Sequence, residues 1–112
     1  MKKESYLEVR TTFPNMELAL KISKEAVNGR FAACSQLSQI RSIFYWKGRL
    51  EEAEEILVIF KTTSKRYDEL VSFIEMSHPY EVPEIWAINN AGGSGRYLEW
   101  IEVVTGSDPE LS

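Results

Sequence analysis

The sequence predicts an α+β fold of the ferredoxin-like type, a β-α-β-β-α-β sandwich with an extended middle hairpin and a C-terminal helix. Three observations predict it. Two segments with alternating hydrophobicity are each followed by a segment with helical spacing. Between the two helices, a long pair of strand-like segments is joined by a short turn. A third helical segment follows the last strand-like segment.

The first strand and helix are indicated by periodicity and by end signals. A half-buried strand is predicted over Tyr6–Phe13, and Pro14 ends it. Asn15 can cap the following helix, and Asn28-Gly29 predicts a left-handed end to that helix. The apolar stripe of this helix consists of Leu18, Ala19, Ile22 and Ala26.

The middle hairpin has unusually long arms. Its outgoing arm begins at Phe31 and continues to Trp46, Lys47-Gly48-Arg49 turns it back, and Leu50–Thr62 returns. Strands are usually about 5–6 residues long, so these arms should project beyond a compact sheet. The apolar run Ile56–Phe60 needs cover on both faces, and a projecting apolar hairpin needs a partner chain.

The second half predicts a helix, a strand and a final helix. Ser64 can cap the first of these helices, whose apolar side is formed by Tyr67, Leu70, Val71 and Ile74. Glu84–Ile88 forms a short strand, Ser94 opens the last helix, and Gly106 ends it. The apolar positions of the last helix are Tyr97, Leu98, Ile101 and Val104.

Size and composition predict a single domain. The chain has 112 residues, of which 44% are hydrophobic and 27% charged, as in ordinary soluble domains. A chain of this size buries roughly 60–70% of its unfolded surface and needs no disulfide or structural metal. We therefore assign residues 1–112 to one domain that ends in a polar tail at 107–112.

Charge and residue counts exclude several classes of protein. Thirteen Lys and Arg against seventeen Asp and Glu give a net charge of −4, which argues against nucleic acid as a partner. No secretory signal is visible, and no apolar run approaches the roughly 20 residues that span a membrane. A single cysteine, Cys34, excludes a thiolate cage and suits the reducing cytoplasm. With one histidine, His78, a His-rich metal site within one chain is also excluded.

Motifs spread over nearly the whole chain resemble those of the CutA divalent-cation tolerance proteins. They are Phe31-Ala32-Ala33-Cys34, Tyr45-Trp46-Lys47-Gly48, Lys61-Thr62-Thr63, His78-Pro79-Tyr80-Glu81-Val82-Pro83-Glu84 and Tyr97-Leu98-Glu99-Trp100. The resemblance implies a ferredoxin-like homotrimer whose long hairpins pair across subunits, with Tyr45 and Trp46 at the interface. It also implies a role in tolerance of copper and other divalent cations, in an architecture similar to the PII signalling trimers.

The resemblance further implies a set of copper ligands that this chain matches poorly. The cysteine position falls on Thr11, and the histidine pair falls on Ser77 and His78, so one of three ligands remains. Copper affinity depends on imidazole and sulfur donors, so we expect only weak binding. A structural alternative for His78 is a helix-end residue that caps carbonyls or lines a subunit junction.

A further hypothesis places several polar side chains around a cleft between subunits. Lys61, His78, Tyr80 and Glu84 fall at element ends, and Trp100 in the last helix helps to close the cleft. Such a set would orient a small anionic or zwitterionic ligand. The alternative is a salt bridge between Lys61 and Glu84 with Tyr80 packed over it.

No catalytic nucleophile is evident, so we predict a non-enzymatic protein that requires no cofactor. The leading hypothesis is a trimeric module that binds a metal or small ligand and signals. The alternative is a trimeric scaffold that recruits another protein and has no ligand of its own. A pocket that buries Lys61, His78 and Tyr80 together would favour binding over a scaffold.

Other segments have structural interpretations. Cys34 is expected to be a buried small residue, and Gly92-Gly93-Ser94-Gly95 a turn and cap in place of a phosphate loop. The acidic segment Glu51–Glu55 is expected to be a solvated edge, because strand alternation sends neighbouring carboxylates to opposite faces. Most tryptophans and tyrosines are expected in the core or at an interface; they include Tyr45, Trp46, Tyr80, Trp86, Tyr97 and Trp100.

Overall fold

The computed structural model describes residues 5–106, which form a small α+β fold with one four-stranded antiparallel sheet and three helices. The elements are β1 (Tyr6–Phe13), α1 (Met16–Asn28), β2 (Cys34–Trp46), β3 (Arg49–Thr63), α2 (Tyr67–Ser77), β4 (Ile85–Asn89) and α3 (Gly95–Thr105). This is the predicted order of strands and helices. The predicted polar tail at 107–112 lies outside the described residues.

The sheet has the order β2-β3-β1-β4. Alternate residues of β1 and β3 are buried against α1 and α2 and form the main core. Its largest fully buried apolar side chains are Val9, Phe13, Val58, Phe60, Leu70 and Ile74. A smaller cluster joins α3 to Ala33 and Tyr6. Because Tyr6 alternates with Val9, α3 packs on the opposite face of the sheet, at the end where β1 begins.

The middle hairpin projects from the body of the protein, as predicted. β2 and β3 remain paired from Cys34 opposite Lys61 to Trp46 opposite Arg49, whereas the pairing of β1 with β3 ends at Phe13 opposite Ile56. The part of the hairpin between Ile56 and the turn is therefore a two-stranded ribbon. The molecule measures 48 × 26 × 21 Å. Lys47 and Gly48 have φ of 51° and 78° at the turn, where glycine avoids the strain of positive φ.

Two predictions about the end of α1 and the start of β2 are wrong in detail. The left-handed residue is Arg30, with φ of 67°, whereas Gly29 has right-handed helical geometry. Gly29 is instead favoured by close packing, since an added Cβ would lie 3.2 Å from the Glu25 carbonyl oxygen and 3.3 Å from the Phe31 ring. β2 begins at Cys34 and not at Phe31, because the Phe31 amide bonds back to the carbonyl of Ala26 in α1.

The predicted helix caps are confirmed for α1 but not for α2 and α3. Asn15 caps α1 as predicted, its side chain accepting from the Leu18 amide at 2.8 Å. Ser64 does not occupy the N-cap position of α2. Arg66 does, without a side-chain hydrogen bond that caps the helix, and the Ser64 hydroxyl accepts from the Ser5 amide at 3.4 Å. Ser94 precedes α3, also without a side-chain cap bond. A polar residue in the sequence therefore predicts where a helix begins better than it predicts a side-chain hydrogen bond that caps the helix.

The sheet is covered fully on only one face. Within the predicted run Ile56–Phe60, alternate residues on the helix side are buried, whereas Leu57 and Ile59 are only half-buried. The expected cover on both faces is thus incomplete within one chain. Among residues 5–106, no helix is long and apolar enough to span a membrane, the longest having 13 residues.

Candidate functional site

His78 lies directly after α2 and is held on both nitrogens of its ring. Its Nε2 is 2.7 Å from the Thr12 carbonyl oxygen, and its Nδ1 is 3.2 Å from the Tyr80 amide nitrogen. The amide can only donate, so Nδ1 accepts, and Nε2 carries the proton that it donates to Thr12. The ring also stacks on Phe13, with centroids 4.6 Å apart. A metal ion would therefore have to displace one of these hydrogen bonds.

The environment of His78 favours the neutral imidazole. Burial lowers the pKa of His78 below its ordinary value, and this outweighs the Thr12 carbonyl and the Glu55 carboxylate, both of which raise it. Protonation at Nδ1 would set two donors against each other at the Tyr80 amide. The residue therefore acts as a structural link between α2, β1 and the segment after the helix.

This link predicts a loss of stability on acidification. The folded-state pKa of His78 lies below the unfolded value, so the unfolded chain binds more protons as the pH falls. The stabilisation is present above the unfolded pKa and is lost below it. We expect the free energy of unfolding to decrease between about pH 7.5 and about pH 5.5. Urea titrations of the protein and of His78→Gln should show a flatter pH dependence in the variant; parallel curves would contradict the link.

Tyr80 and Glu55 form the second polar contact of this region. The Tyr80 hydroxyl donates to Glu55 Oε2 at 2.8 Å, and Glu55 is only 8% exposed. Burial raises the pKa of Tyr80, and the hydrogen bond and charge of Glu55 add to the rise, so the phenol stays protonated. The prediction of a solvated edge is therefore wrong for Glu55. The sequence feature that could have indicated the burial of Glu55 is its position beside Ile56, where the hairpin joins the main sheet.

A groove of about 680 Å³ lies between the hairpin and the segment that follows His78. Carboxylates and aromatic rings contribute most of its chemistry: Glu55, Glu81, Glu84, Phe44, Trp46 and Tyr80. The Glu84 carboxylate also accepts from the indole nitrogen of Trp86 at 2.9 Å. Glu84 precedes β4 and is not its first residue, because β4 begins at Ile85.

Lys61 and Trp100 lie elsewhere on the chain. Lys61 Nζ is 5.5 Å from the centroid of the Tyr97 ring, and that ring stacks on Trp100 at 5.6 Å. Lys61 pairs with Glu8, which pairs with Ile88 on its other side. Glu84 is four residues before Ile88, or about 13 Å along the strand direction.

One chain therefore contains two separate halves of the predicted cleft. One half is His78, Tyr80 and Glu84, and the other is Lys61 and Trp100. The alternative Lys61–Glu84 salt bridge is not formed within the described chain. Only a neighbouring chain can bring the halves together, and the shared cleft stays a prediction.

The positions implied as copper ligands do not form a metal cluster. Thr11 is fully buried, Ser77 ends α2, and His78 is engaged as described above. Across residues 5–106, no three or more His, Cys, Asp or Glu side chains are grouped so that they could hold a metal ion. The hydroxyl of Thr11 has no hydrogen-bond partner in the described structure.

The orphaned hydroxyl predicts a stabilising substitution. Thr11→Val keeps the shape and removes an unsatisfied buried group, so we expect a gain of about 1 kcal/mol. Thr62→Val is the matched control, because the fully buried Thr62 hydroxyl donates to the Phe31 carbonyl at 2.7 Å and its loss should destabilise. Urea midpoints should move in opposite directions; a loss of stability in Thr11→Val would show that its hydroxyl is satisfied.

Several aromatic residues that were predicted for the core or an interface are exposed in the single chain, so for them only the interface remains as the prediction. Tyr45 is 78% exposed and Trp46 38% exposed at the hairpin tip. Trp86 and Trp100 are also exposed, so none of the three tryptophans lies in the core of a single chain. Cys34 is half-buried rather than buried, because it begins the edge strand β2. The Gly92 amide donates to Asn90 Oδ1 at 2.9 Å, in agreement with a turn.

Comparisons with known proteins agree on one family. A family model described as "CutA1 divalent ion tolerance protein" matches residues 7–104. Protein CutA of Bos taurus is 40% identical over 101 residues, which cover 90% of this chain and 57% of that protein. The divalent-cation tolerance protein CutA of Thermotoga maritima is 37% identical over 93 residues, covering 83% of this chain and 92% of that protein. The chain thus spans a little over half the length of its mammalian relatives.

Solved structures agree with the sequence comparisons. CutA1 from Pyrococcus horikoshii superposes with a TM-score of 0.86 at 36% identity, covering 90% of this chain and 99% of that one. CutA from Archaeoglobus fulgidus, described as a periplasmic divalent cation tolerance protein, superposes with a TM-score of 0.87 at 31% identity. That match covers 93% of this chain and 100% of the other.

Proposed function

Because the chain belongs to the CutA1 divalent ion tolerance protein family, we propose that it acts as a homotrimeric binding and signalling module in tolerance of divalent cations, copper among them. In this proposal the subunit is ferredoxin-like, the trimer resembles PII proteins, and the protein is not an enzyme. The unpaired Cys34 supports a reducing compartment, for which we propose the cytoplasm.

The observation that carries the trimer is the exposed apolar surface of the hairpin. Five large apolar side chains on this projecting ribbon are exposed: Ile43, Phe44, Tyr45, Trp46 and Leu50. Soluble proteins rarely leave large apolar surfaces in water, and a paired neighbouring chain would bury these side chains. The strand register places Phe44 and Trp46 on the same face as the half-buried Leu57 and Ile59 of the sheet, so this apolar face continues along the hairpin.

The separation of the two half-sites supports a cleft between subunits. Lys61 and Trp100 lie at one end of the sheet, and His78, Tyr80 and Glu84 lie at the other. A trimer that sets these ends side by side would complete the cleft three times. A small anionic ligand there would depend on Lys61 of the neighbouring chain, because no Lys or Arg lines the groove beside Tyr80.

Copper(II) binding is expected to be weak. His78 already uses both ring nitrogens, and neither Thr11 nor Ser77 can replace the missing thiolate and imidazole. Calorimetry should detect at most low affinity, and His78→Ala should abolish most of it. Thr11→Cys combined with Ser77→His should raise the affinity by at least about tenfold if the implied geometry is right. Tight binding that survives His78→Ala would place the site elsewhere.

The saturation of His78 favours a second candidate, a trimeric scaffold with no ligand of its own. In that case the exposed aromatic pair Tyr97 and Trp100 on α3 would be available to a partner protein. Trimeric assembly is common to both candidates. The two candidates differ in whether a metal ion or small ligand is bound in the clefts between subunits.

Native mass spectrometry of protein purified without added metal tests the proposal. We expect a trimer with a retained ion or small molecule; a bare trimer would favour the scaffold, and a monomer would overturn both candidates. The role in tolerance is tested separately, by growth in graded copper(II) chloride of a bacterial strain that lacks its own CutA. Rescue by this chain supports the function, and no rescue by a well-expressed trimer contradicts it.

A further inference from the structure

We propose that α3 opens from the sheet as a separate unit and that the side chain of Arg66 is the latch that holds it closed. The latch consists of hydrogen bonds that are formed within one chain. The inference goes beyond the proposed function, because it requires neither a trimer nor a ligand.

The packing of α3 is separate from the main core. Its buried apolar residues, Ile101 and Val104, form a small cluster with Ala33, and the partly buried Tyr6 and Leu98 complete that cluster. Among the described residues, the main core contains none from α3. The helix has only 11 residues, and helices shorter than about 12–15 residues are marginal in water without tertiary contacts. Loss of this small cluster would therefore unfold α3 while the main core stays intact.

The Arg66 side chain extends from the start of α2 to the last residues of α3. Its Nε donates to the Thr105 carbonyl at 2.7 Å, and its Nη2 lies 3.5 Å from the Gly106 carbonyl oxygen. Its Nη1 donates to the two carboxylate oxygens of Glu69 at 3.0 and 3.1 Å, which fixes the direction of the guanidinium. Hydrogen bonds from a charged donor are stronger than neutral ones, so this group can hold the end of a short helix.

Arg66 is poorly suited to its own helix and well suited to α3. It occupies the N-cap position of α2, where Ser, Thr, Asp and Asn are preferred and a positive charge is unfavourable. The C-terminus of a helix favours a positive charge, yet α3 has no basic residue in its last turn. Arg66 supplies that charge from another helix. Its position therefore indicates a role at the end of α3 rather than at the start of α2.

The other end of α3 has the features of a hinge. Ser94 precedes the helix without a side-chain hydrogen bond that caps it. Neither Gly92 nor Gly95 has a positive φ, and an added Cβ at either position would meet no other part of the described chain within 4 Å. The closed conformation therefore does not require glycine at these two positions. A segment that changes its backbone angles is well served by glycine, so we place the hinge at residues 92–95.

Opening of α3 would separate Tyr97 from Lys61. In the closed conformation, Lys61 Nζ lies 5.5 Å from the centroid of the Tyr97 ring, which stacks on Trp100. The latch would therefore determine how often this half of the predicted cleft is assembled. This consequence rests on the proposed function, whereas the latch itself does not.

Hydrogen–deuterium exchange of the intact protein, measured by mass spectrometry, tests the latch. We expect the amides of α3 to exchange faster than those of β1 in the unmodified protein. Arg66→Gln should accelerate exchange in α3 by about tenfold or more and leave β1 unchanged, because hydrogen bonds from a charged group are lost. Lys24→Gln is the matched control, since it removes a positive charge from an exposed position on α1 and should leave α3 unchanged.

Two further variants test the two ends of α3 separately. Glu69→Gln leaves the Arg66 guanidinium less firmly oriented, so exchange in α3 should be about threefold faster. Gly92→Ala restricts the hinge, so exchange in α3 should be about two- to fivefold slower. Glu69→Gln also keeps the test of the latch falsifiable if Arg66→Gln disturbs the whole fold.

Several results would overturn the inference. Exchange of α3 as slow as that of β1 in the unmodified protein would show that α3 is not a separate unit. Equal acceleration of α3 and β1 in Arg66→Gln would show that Arg66 stabilises the whole fold, and no acceleration, or the same acceleration in Lys24→Gln, would remove the latch. Unchanged exchange in Gly92→Ala would remove the hinge. A monomer in native mass spectrometry would overturn the proposed trimer but not the latch, so the two proposals fail separately.

Discussion

Trp46→Ala is expected to dissociate the proposed trimer at concentrations where the unmodified protein is fully assembled. Trp46 is the last residue of β2 and lies at the tip of the projecting hairpin, 38% exposed in the single chain. A tryptophan at the centre of an interface contributes about 2 kcal/mol or more when truncated. Symmetry repeats the loss in each subunit, so the effect on a trimer is about three times larger.

Sedimentation equilibrium and thermal unfolding would measure the effect. We expect the unmodified protein to be trimeric at micromolar concentration, and Trp46→Ala to shift towards monomer with a lower thermal midpoint. Met76→Ala is a suitable control, because Met76 is 88% exposed on α2, away from the hairpin. A stable monomer of the unmodified protein, or an unchanged midpoint in Trp46→Ala, would contradict the placement of this residue in an interface.

Phe13→Ala is expected to cost about 3–5 kcal/mol of folding free energy, a large part of the stability of a small domain. Phe13 is fully buried at the end of β1, where it packs in the main core and its ring stacks on His78. Removing the ring leaves a cavity in the main core and removes the stacking contact of the imidazole. The loss should therefore reach the segment from His78 to Glu84 as well as the core.

Urea unfolding would measure the stability, and NMR titration would report the pKa of His78. Phe13→Leu is the matched variant: it retains most of the buried volume and should cost less, but it removes the ring stack. In that variant we expect the pKa of His78 to rise towards its ordinary value of 6.5, because the imidazole becomes better solvated. A cost below about 1 kcal/mol for Phe13→Ala would mean that the core collapses around the gap.

The sequence by itself determined the order of elements and the shape of the hairpin. The alternation over Tyr6–Phe13, the cap at Asn15 and the turn at Lys47-Gly48 are predicted from the residues and observed in the fold. The motifs also indicate the family, which the match over residues 7–104 confirms. The signals for strands, caps and turns are carried by residues close together in the chain, where periodicity and turn chemistry act directly.

Only the tertiary structure decided which polar groups meet. No pattern in the residues around Glu55 indicates its partner, yet its carboxylate accepts from Tyr80, 25 residues away, and is buried. His78 forms a hydrogen bond through Nε2 with the carbonyl of Thr12, which is 66 residues away in the sequence. That nitrogen is therefore not free to bind a metal ion. Lys61 and Glu84, assigned to one cleft, lie apart along the sheet because strand register, which is set by packing of the whole fold, separates them.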